Sequence, residues 1–188
     1  MSWKNSKQLV LDASLATGSS DRMFNPMGGN PGDRNRRCLL AIREEKHVAV
    51  FNLKLRREWR DHASPFAIGW LQDMERKSLV ADEEGERFAI LLKSACDCLP
   101  SEGHKAALAK DIHLVRSALA TGQLILSNEK EFPKFVALAC DAVWEFLLLH
   151  YASPAFEGNA CILWIKAGAA KDADRRIDAW VENHLKGE

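Results

Sequence analysis

The sequence predicts an α/β protein, a single three-layer α/β/α domain over residues 1–188 with a mostly parallel central sheet. Three observations carry this expectation. The apolar runs Leu9 to Leu11, Val48 to Phe51 and Leu124 to Leu126 are short and bounded by polar residues, as strands buried on both faces are. Segments with apolar residues at three- and four-residue steps lie between them, and strands alternating with helices place a sheet between two helical layers. The composition, 47% hydrophobic and 28% charged over 188 residues, supplies enough apolar surface for one ordinary core.

Taken in order, Leu9-Val10-Leu11 ends at Asp12, which predicts a buried strand presenting an acid at its carboxyl end. Thr17 to Asp33, with Gly28-Gly29-Asn30-Pro31-Gly32, is expected as a loop. Asp33 is expected to cap a helix beginning near Arg34, with Cys38, Leu39 and Ile42 on its inner face. Val48 to Phe51 reads as the second strand. Leu53 to His62 resumes helical spacing, and Pro65 breaks it before a further helical segment, Phe66 to Lys77. Leu79-Val80 reads as a short strand or an extended connection, and Glu84 to Cys96 as a helix. The clearest helix runs from Lys105 to Thr121, with Leu108, Ile112, Val115 and Leu119 on one face, and Gly122 is expected to stop it. After the Leu124 to Leu126 strand come a polar turn at Ser127-Asn128 and a helix through Val136. A helix near Asp141 to His150, a strand at Cys161 to Ile165 and a closing helix from Asp172 to Leu185 complete the expectation. The motif-bearing core is thus residues 8–132, followed by a helix-strand-helix unit over residues 133–188.

Bulk properties narrow the function classes. Twenty-six basic residues balance twenty-six acidic ones, so no global field draws the chain to nucleic acid or to an anionic membrane, although local patches remain open. The longest strongly apolar stretch, Val143 to Leu149, is far shorter than the roughly 20 residues a spanning helix needs. The five cysteines are irregularly spaced and the start MSWKNSKQ is polar, which predicts reduced thiols and a cytoplasmic protein. Cys96 and Cys98 with His104 have the wrong spacing for a zinc knuckle. The glycine-rich loop lacks the Gly-Lys-Ser/Thr ending of a phosphate-binding loop.

Acids recur where an open parallel sheet gathers ligands, at the carboxyl ends of its strands. Asp12 follows the first strand, Glu58 lies in the helix after the second, and Glu129 follows the Leu124 to Leu126 strand. Asp111 sits in the helix leading into that strand, on a different radial face from Leu108 and Ile112. Clustered carboxylates repel and desolvate one another, and a divalent cation resolves that conflict. Such a site activates water for phosphodiester cleavage, using one metal or two roughly 4 Å apart.

These residues resemble those of PIN domains. "LVLDAS" (Leu9 to Ser14) looks like the family's opening strand, and "LKLRREW" (Leu53 to Trp59) resembles its second segment, with Glu58 as its glutamate. "KDIHLVRSALATGQLILSNEKEF" (Lys110 to Phe132) resembles the run of Asp, apolar helix, Gly, hydrophobic strand, hydroxyl, acid and Phe. There Asp111 takes the third acidic position and Glu129 the fourth, with Glu131 a rival for it. Ser14 and Ser127, with Asn128 beside it, fit the supporting polar positions. The chain departs from the pattern in carrying His113 and Arg116 where small apolar residues are usual, and in being longer than compact toxin-type members.

The resemblance implies a metal-dependent endoribonuclease using Mg²⁺ or Mn²⁺. Asp12, Glu58, Asp111 and Glu129 would be the metal ligands and catalytic acids, with water as the nucleophile. It further implies RNA as substrate, a homodimer, and a cognate antitoxin or other regulatory protein as partner. Arg34, Arg37 and Arg57 are candidate contacts to RNA phosphates, with Arg36, Arg56 and Arg60 nearby; the competing reading is a solvated face paired with Glu44, Glu45 and Asp61. His113 falls about 200° round the helix from Asp111 and is expected in a structural or surface role. The rival to a nuclease is a catalytically inactive PIN-like module that binds RNA or a partner protein. More distant is a phosphatase or a receiver, for which Lys130 and Lys166 are weak lysine candidates.

Overall fold

The computed structural model describes residues 6–19 and 29–185. Five strands form one all-parallel sheet: β1 (Gln8–Leu11), β2 (Val48–Phe51), β3 (Val80–Asp82), β4 (Leu124–Leu126) and β5 (His150–Ala152), in the order β3-β2-β1-β4-β5. Leu9 to Leu11, Ala49 to Phe51 and Leu124 to Leu126 are wholly buried, as strands covered on both faces must be. Leu9 pairs with Ala49 on one side and with Leu124 on the other.

Helices cover both faces, giving a three-layer α/β/α arrangement. One group is centred on α2 (Pro31–Glu44), which packs against α1 (Ala13–Gly18), α4 (Pro65–Arg76), α8 (Pro154–Glu157) and α9 (Asn159–Lys166). The other is centred on α6 (Glu102–Ala120), which packs against α5 (Ala89–Asp97) and α7 (Glu131–Ala139); α10 (Ile177–Leu185) packs on α7. The remaining helix, α3 (Leu53–His62), lies at the carboxyl end of the sheet between α1 and α6. Caps fix several starts. The side chains of Asn30, Asn52, Ser64 and Ser101 accept from the amides of Asp33, Leu55, Ala67 and His104, and Pro31 and Pro65 occupy first turns. Among the described residues no helix is long and apolar enough to cross a membrane.

Several expectations are corrected. The loop expected over Thr17 to Asp33 is narrower at both ends. Helix α1 begins directly after Asp12, and α2 begins at Pro31 rather than near Arg34 because Asn30, not Asp33, caps it. Residues 20–28, including Gly28, lie outside the described residues. Cys161 to Ile165 is not a strand but the core of α9, with Cys161, Ile162, Trp164 and Ile165 buried; a short apolar run fits a buried helix as well as a strand. The fifth strand is instead His150–Ala152, so the expected helix near Asp141 to His150 shrinks to a 3₁₀ segment, Trp144–Leu148. The closing helix starts at Ile177, preceded by a 3₁₀ turn, Ala173–Arg175. The helix-strand-helix expected over residues 133–188 is therefore α7, β5, α8, α9 and α10.

Gly122 follows the end of α6 for a reason other than the one expected. The left-handed residue there is Gln123, at φ 61°. A Cβ on Gly122 would lie 2.2 Å from the Gln8 carbonyl, so the glycine lets the incoming chain pass against β1.

Candidate functional site

The order β3-β2-β1-β4-β5 makes the chain step outward from β1 through β2 to β3, then return to the far side of β1 for β4 and β5. The reversal lies between β1 and β4, and the crevice at the carboxyl ends of those strands is where an open sheet binds ligands. Leu11 pairs with Leu126, and the Asp12 amide donates to the Leu126 carbonyl (3.0 Å). This places Asp12 and Ser127 side by side at that crevice.

Asp12 is nearly buried, and one of its oxygens is fully engaged. The hydroxyls of Ser14 (2.5 Å) and Ser127 (2.6 Å) both donate to Oδ2. Among the described residues, Oδ1 has no hydrogen-bond donor. Each hydroxyl also accepts, Ser14 Oγ from the Asn128 amide (2.9 Å) and Ser127 Oγ from the Glu129 amide (3.0 Å). The turn after β4 is thereby tied to the end of β1. From below, the Tyr151 hydroxyl lies within reach of the carbonyls of Ser127 (3.0 Å) and Glu129 (2.9 Å). Burial raises the Tyr151 pKa well above its ordinary value, so the phenol keeps its proton and remains a donor.

Helix α3 is set by two anchors. At its start, the buried Asn52 accepts from the Leu55 amide through Oδ1 (2.8 Å), while its Nδ2 donates to the His113 carbonyl (3.1 Å) and to Ser117 Oγ (2.9 Å) on α6. In its middle, Trp59 Nε1 donates to the Leu11 carbonyl (3.0 Å), one residue before Asp12. Glu58, adjacent to Trp59, is so carried to the crevice. The result is a cleft of about 470 Å³ whose lining includes Asp12, Ser14, Glu58, Lys110, Asp111 and Glu129.

Burial dominates the electrostatics of the cleft. Burial pushes the Asp111 carboxyl up to about 6, with Asp12 and Glu129 adding to the rise and Lys110 and Lys54 opposing it. Burial also raises Glu58, again with Asp12 adding and Lys54 opposing. Two lysines stand at the rim. Lys54 Nζ is 3.8 Å from Glu58 and donates to the Lys110 carbonyl; Lys110 Nζ is 3.9 Å from Asp111. His113 faces inward on α6, with Nε2 3.4 Å from Glu58 Oε2, yet neither ring nitrogen completes a hydrogen bond. Burial pulls its pKa down to about 3, so the ring is neutral at physiological pH.

The structure brings together Asp12, Glu58, Asp111 and Glu129, with Ser14 and Ser127 holding Asp12. Glu131 does not line the cleft; it pairs with Lys134 (3.0 Å). Asn128 is turned to structural work, its Oδ1 accepting from Ser153 Oγ and the Ala155 amide and its Nδ2 donating to Asn35. The three candidate RNA-contacting arginines lie outside the cleft lining. Arg34 donates to the Ala155 carbonyl (3.1 Å), Arg37 lines a groove between α2 and α9, and Arg57 is exposed on α3. Of the neighbouring arginines, Arg36 stacks on Phe66 and Arg56 pairs with Glu75 and Asp82. The expectation for His113 is corrected in part. It does point away from Asp111, but α3 lies on that side and supplies Glu58. Asn52 went unnoticed in the sequence, although an Asn between a strand and a helical segment is a capping signal.

Apart from the His62 imidazole, the potential donors lining the cleft are carboxylate and hydroxyl oxygens, which suit a hard divalent cation. Among the described residues no three carboxylate, imidazole or thiol groups stand close enough together to ligate one ion directly. Mg²⁺ sites commonly use one or two carboxylates with waters filling the remaining positions. No family model, curated protein or solved structure matches the chain.

Proposed function

We propose that the protein is a metal-dependent endoribonuclease of the PIN type, hydrolysing RNA phosphodiester bonds. The observation that carries the reading is the convergence of four carboxylates, from the end of β1, from α3, from α6 and from the turn after β4, on one cleft at the sheet's reversal point. Raised Asp111 and Glu58 pKa values, caused chiefly by burial, mark that cleft as a place where carboxylate charge is poorly solvated. Asp12 and Asp111 would hold Mg²⁺ or Mn²⁺, with Glu58 and Glu129 reaching it through water. The cation would supply charge neutralisation at the phosphodiester and activation of water.

The chain's own groups perform the remaining tasks. Ser14 and Ser127 fix the Asp12 carboxylate in one orientation, which saves the ordering cost at the moment of binding. Lys54 and Lys110, which stand beside Glu58 and Asp111, would contact the phosphates flanking the scissile bond. The test is cleavage of an RNA substrate with Mn²⁺ by the wild type and by Asp12→Asn. The variant is expected to lose activity by several orders of magnitude; equal rates would refute the assignment.

One observation favours a second reading, a non-catalytic PIN-like module that binds RNA or a protein partner. It is that, among the described residues, no three carboxylate, imidazole or thiol groups are gathered for direct coordination. Melting temperature against metal separates the two, because a ligand that binds only the folded state must stabilise it. A rise at millimolar Mn²⁺ supports the nuclease, and no rise supports the binding module.

A further inference from the structure

We propose that His113 is a positioning residue for Glu58: its Nε2–H donates to the Glu58 carboxylate and holds that carboxylate in the acid cleft. What the carboxylate then does rests on the nuclease reading above, but the hydrogen bond itself does not.

The three buried histidines differ in one respect. His47 uses both ring nitrogens, accepting from the Lys7 amide at Nδ1 (3.1 Å) and facing the Ile165 carbonyl at Nε2 (3.0 Å). His150 places Nδ1 2.9 Å from the Leu148 carbonyl. His113, only 5% exposed, has neither nitrogen in a completed hydrogen bond. A polar ring removed from water and left unpaired is strongly disfavoured, so such a ring is kept where it has a task. Its Nε2 lies 3.4 Å from Glu58 Oε2, a few tenths of an ångström beyond an ordinary N–H···O bond.

A second acceptor near the ring is the carbonyl of Lys110, three residues earlier on α6, which also receives the Lys54 ammonium. Lys54 also flanks Glu58 at 3.8 Å. The Glu58 carboxylate thus lies between a flexible exposed ammonium and a buried, rigid imidazole. Only the second can fix its direction. Asn52 sets the register that makes this meeting possible, because one side chain caps α3 and bonds the His113 carbonyl itself. The charged groups that act most strongly on the ring, Lys54, Lys110 and Arg116, are all cations, and among the described residues Glu58 is the carboxylate paired with it.

The tautomer decides the first half. In metal-free protein at pH 7, ¹⁵N-labelled histidine should show His113 as the Nε2–H form, with that resonance moving in Glu58→Gln. A Nδ1–H ring would overturn the proposal. The second half compares His113→Gln, which keeps a donor, with His113→Phe, which keeps bulk alone, both checked for native circular dichroism. Mn²⁺ affinity should fall about tenfold in H113F, the usual scale for losing an outer-shell partner, and by less than about threefold in H113Q. Wild-type affinity in H113F, or equal losses in both variants, would show that His113 only fills space. A wild type that binds no Mn²⁺ would defeat the metal reading instead, and the tautomer would then decide the case for His113. Should H113F fail to fold, the tautomer and H113Q carry the decision together.

Discussion

Replacing Asp111 with Asn should make the metal-free protein more stable. The carboxyl is raised from 3.8 to about 6, chiefly by burial, with Asp12 and Glu129 adding. Below pH 3.8 the group is protonated in folded and unfolded chains alike and costs nothing. Between 3.8 and about 6 the unfolded chain ionises first, so stability falls as the pH rises, and above about 6 the whole penalty is present. At roughly 1.4 kcal/mol per pKa unit the penalty is about 3 kcal/mol, and the side chain is only 18% exposed, so solvent screens little of it. At pH 5 about half remains. An isosteric neutral amide removes it, and for a chain of this length roughly 2–4 °C of melting temperature accompanies each kcal/mol. Thermal melts in EDTA at pH 7.5 should therefore place Asp111→Asn about 6–12 °C above the wild type, with the gap narrowing toward pH 5. With millimolar Mn²⁺ the wild type should recover most of that gap, while the variant should gain little. A variant that melts at or below the wild type in EDTA at pH 7.5 would refute the claim that the buried Asp111 carboxylate destabilises the metal-free fold.

Two further outcomes follow from the same cleft. Ser127→Ala removes a buried hydroxyl that donates to Asp12 and accepts from the Glu129 amide, and urea denaturation should show a loss of about 1.5–3 kcal/mol, the scale for a hydrogen bond to a charged group. If Lys54 and Lys110 hold RNA phosphates, single-strand binding in EDTA should lose salt dependence in the Lys54→Ala, Lys110→Ala double variant. The slope of log affinity against log salt should flatten by about 0.7 for each lysine, and an unchanged slope would place the RNA path elsewhere.

Much of the arrangement was legible in the chain because its strongest signals are local. The runs at Leu9, Val48 and Leu124 are buried on both faces, so they read as continuous apolar segments, and Asp12 and Glu129 mark the carboxyl ends of the first and the last. What could not be read depends on neighbours distant in sequence. Strand β5 is three residues, His150 to Ala152, too short for any period to show; it exists because β4 offers an unpaired edge. The Cys161 to Ile165 run is apolar enough to resemble a strand, and only its packing against α2 makes it a helix. The position of His113 on its own helix was readable, whereas the presence of α3 beside it was not. The arginines left two readings open for a related reason. The partners that folding brings to Arg34, Arg36 and Arg56, a carbonyl, an aromatic ring and two carboxylates, are distant in sequence.

Asn52 has a consequence for how the chain tolerates change. The two walls of the crevice come from helices separated by some forty residues of intervening chain, yet both are referenced to the same strand end through one amide group. Their spacing is therefore set from β2, and through Trp59 from β1, while the Glu83 to Gly85 corner braces the same helices. Changes between α3 and α6 that keep that corner, and Trp70 on which Trp59 packs, should leave the gap between the walls intact.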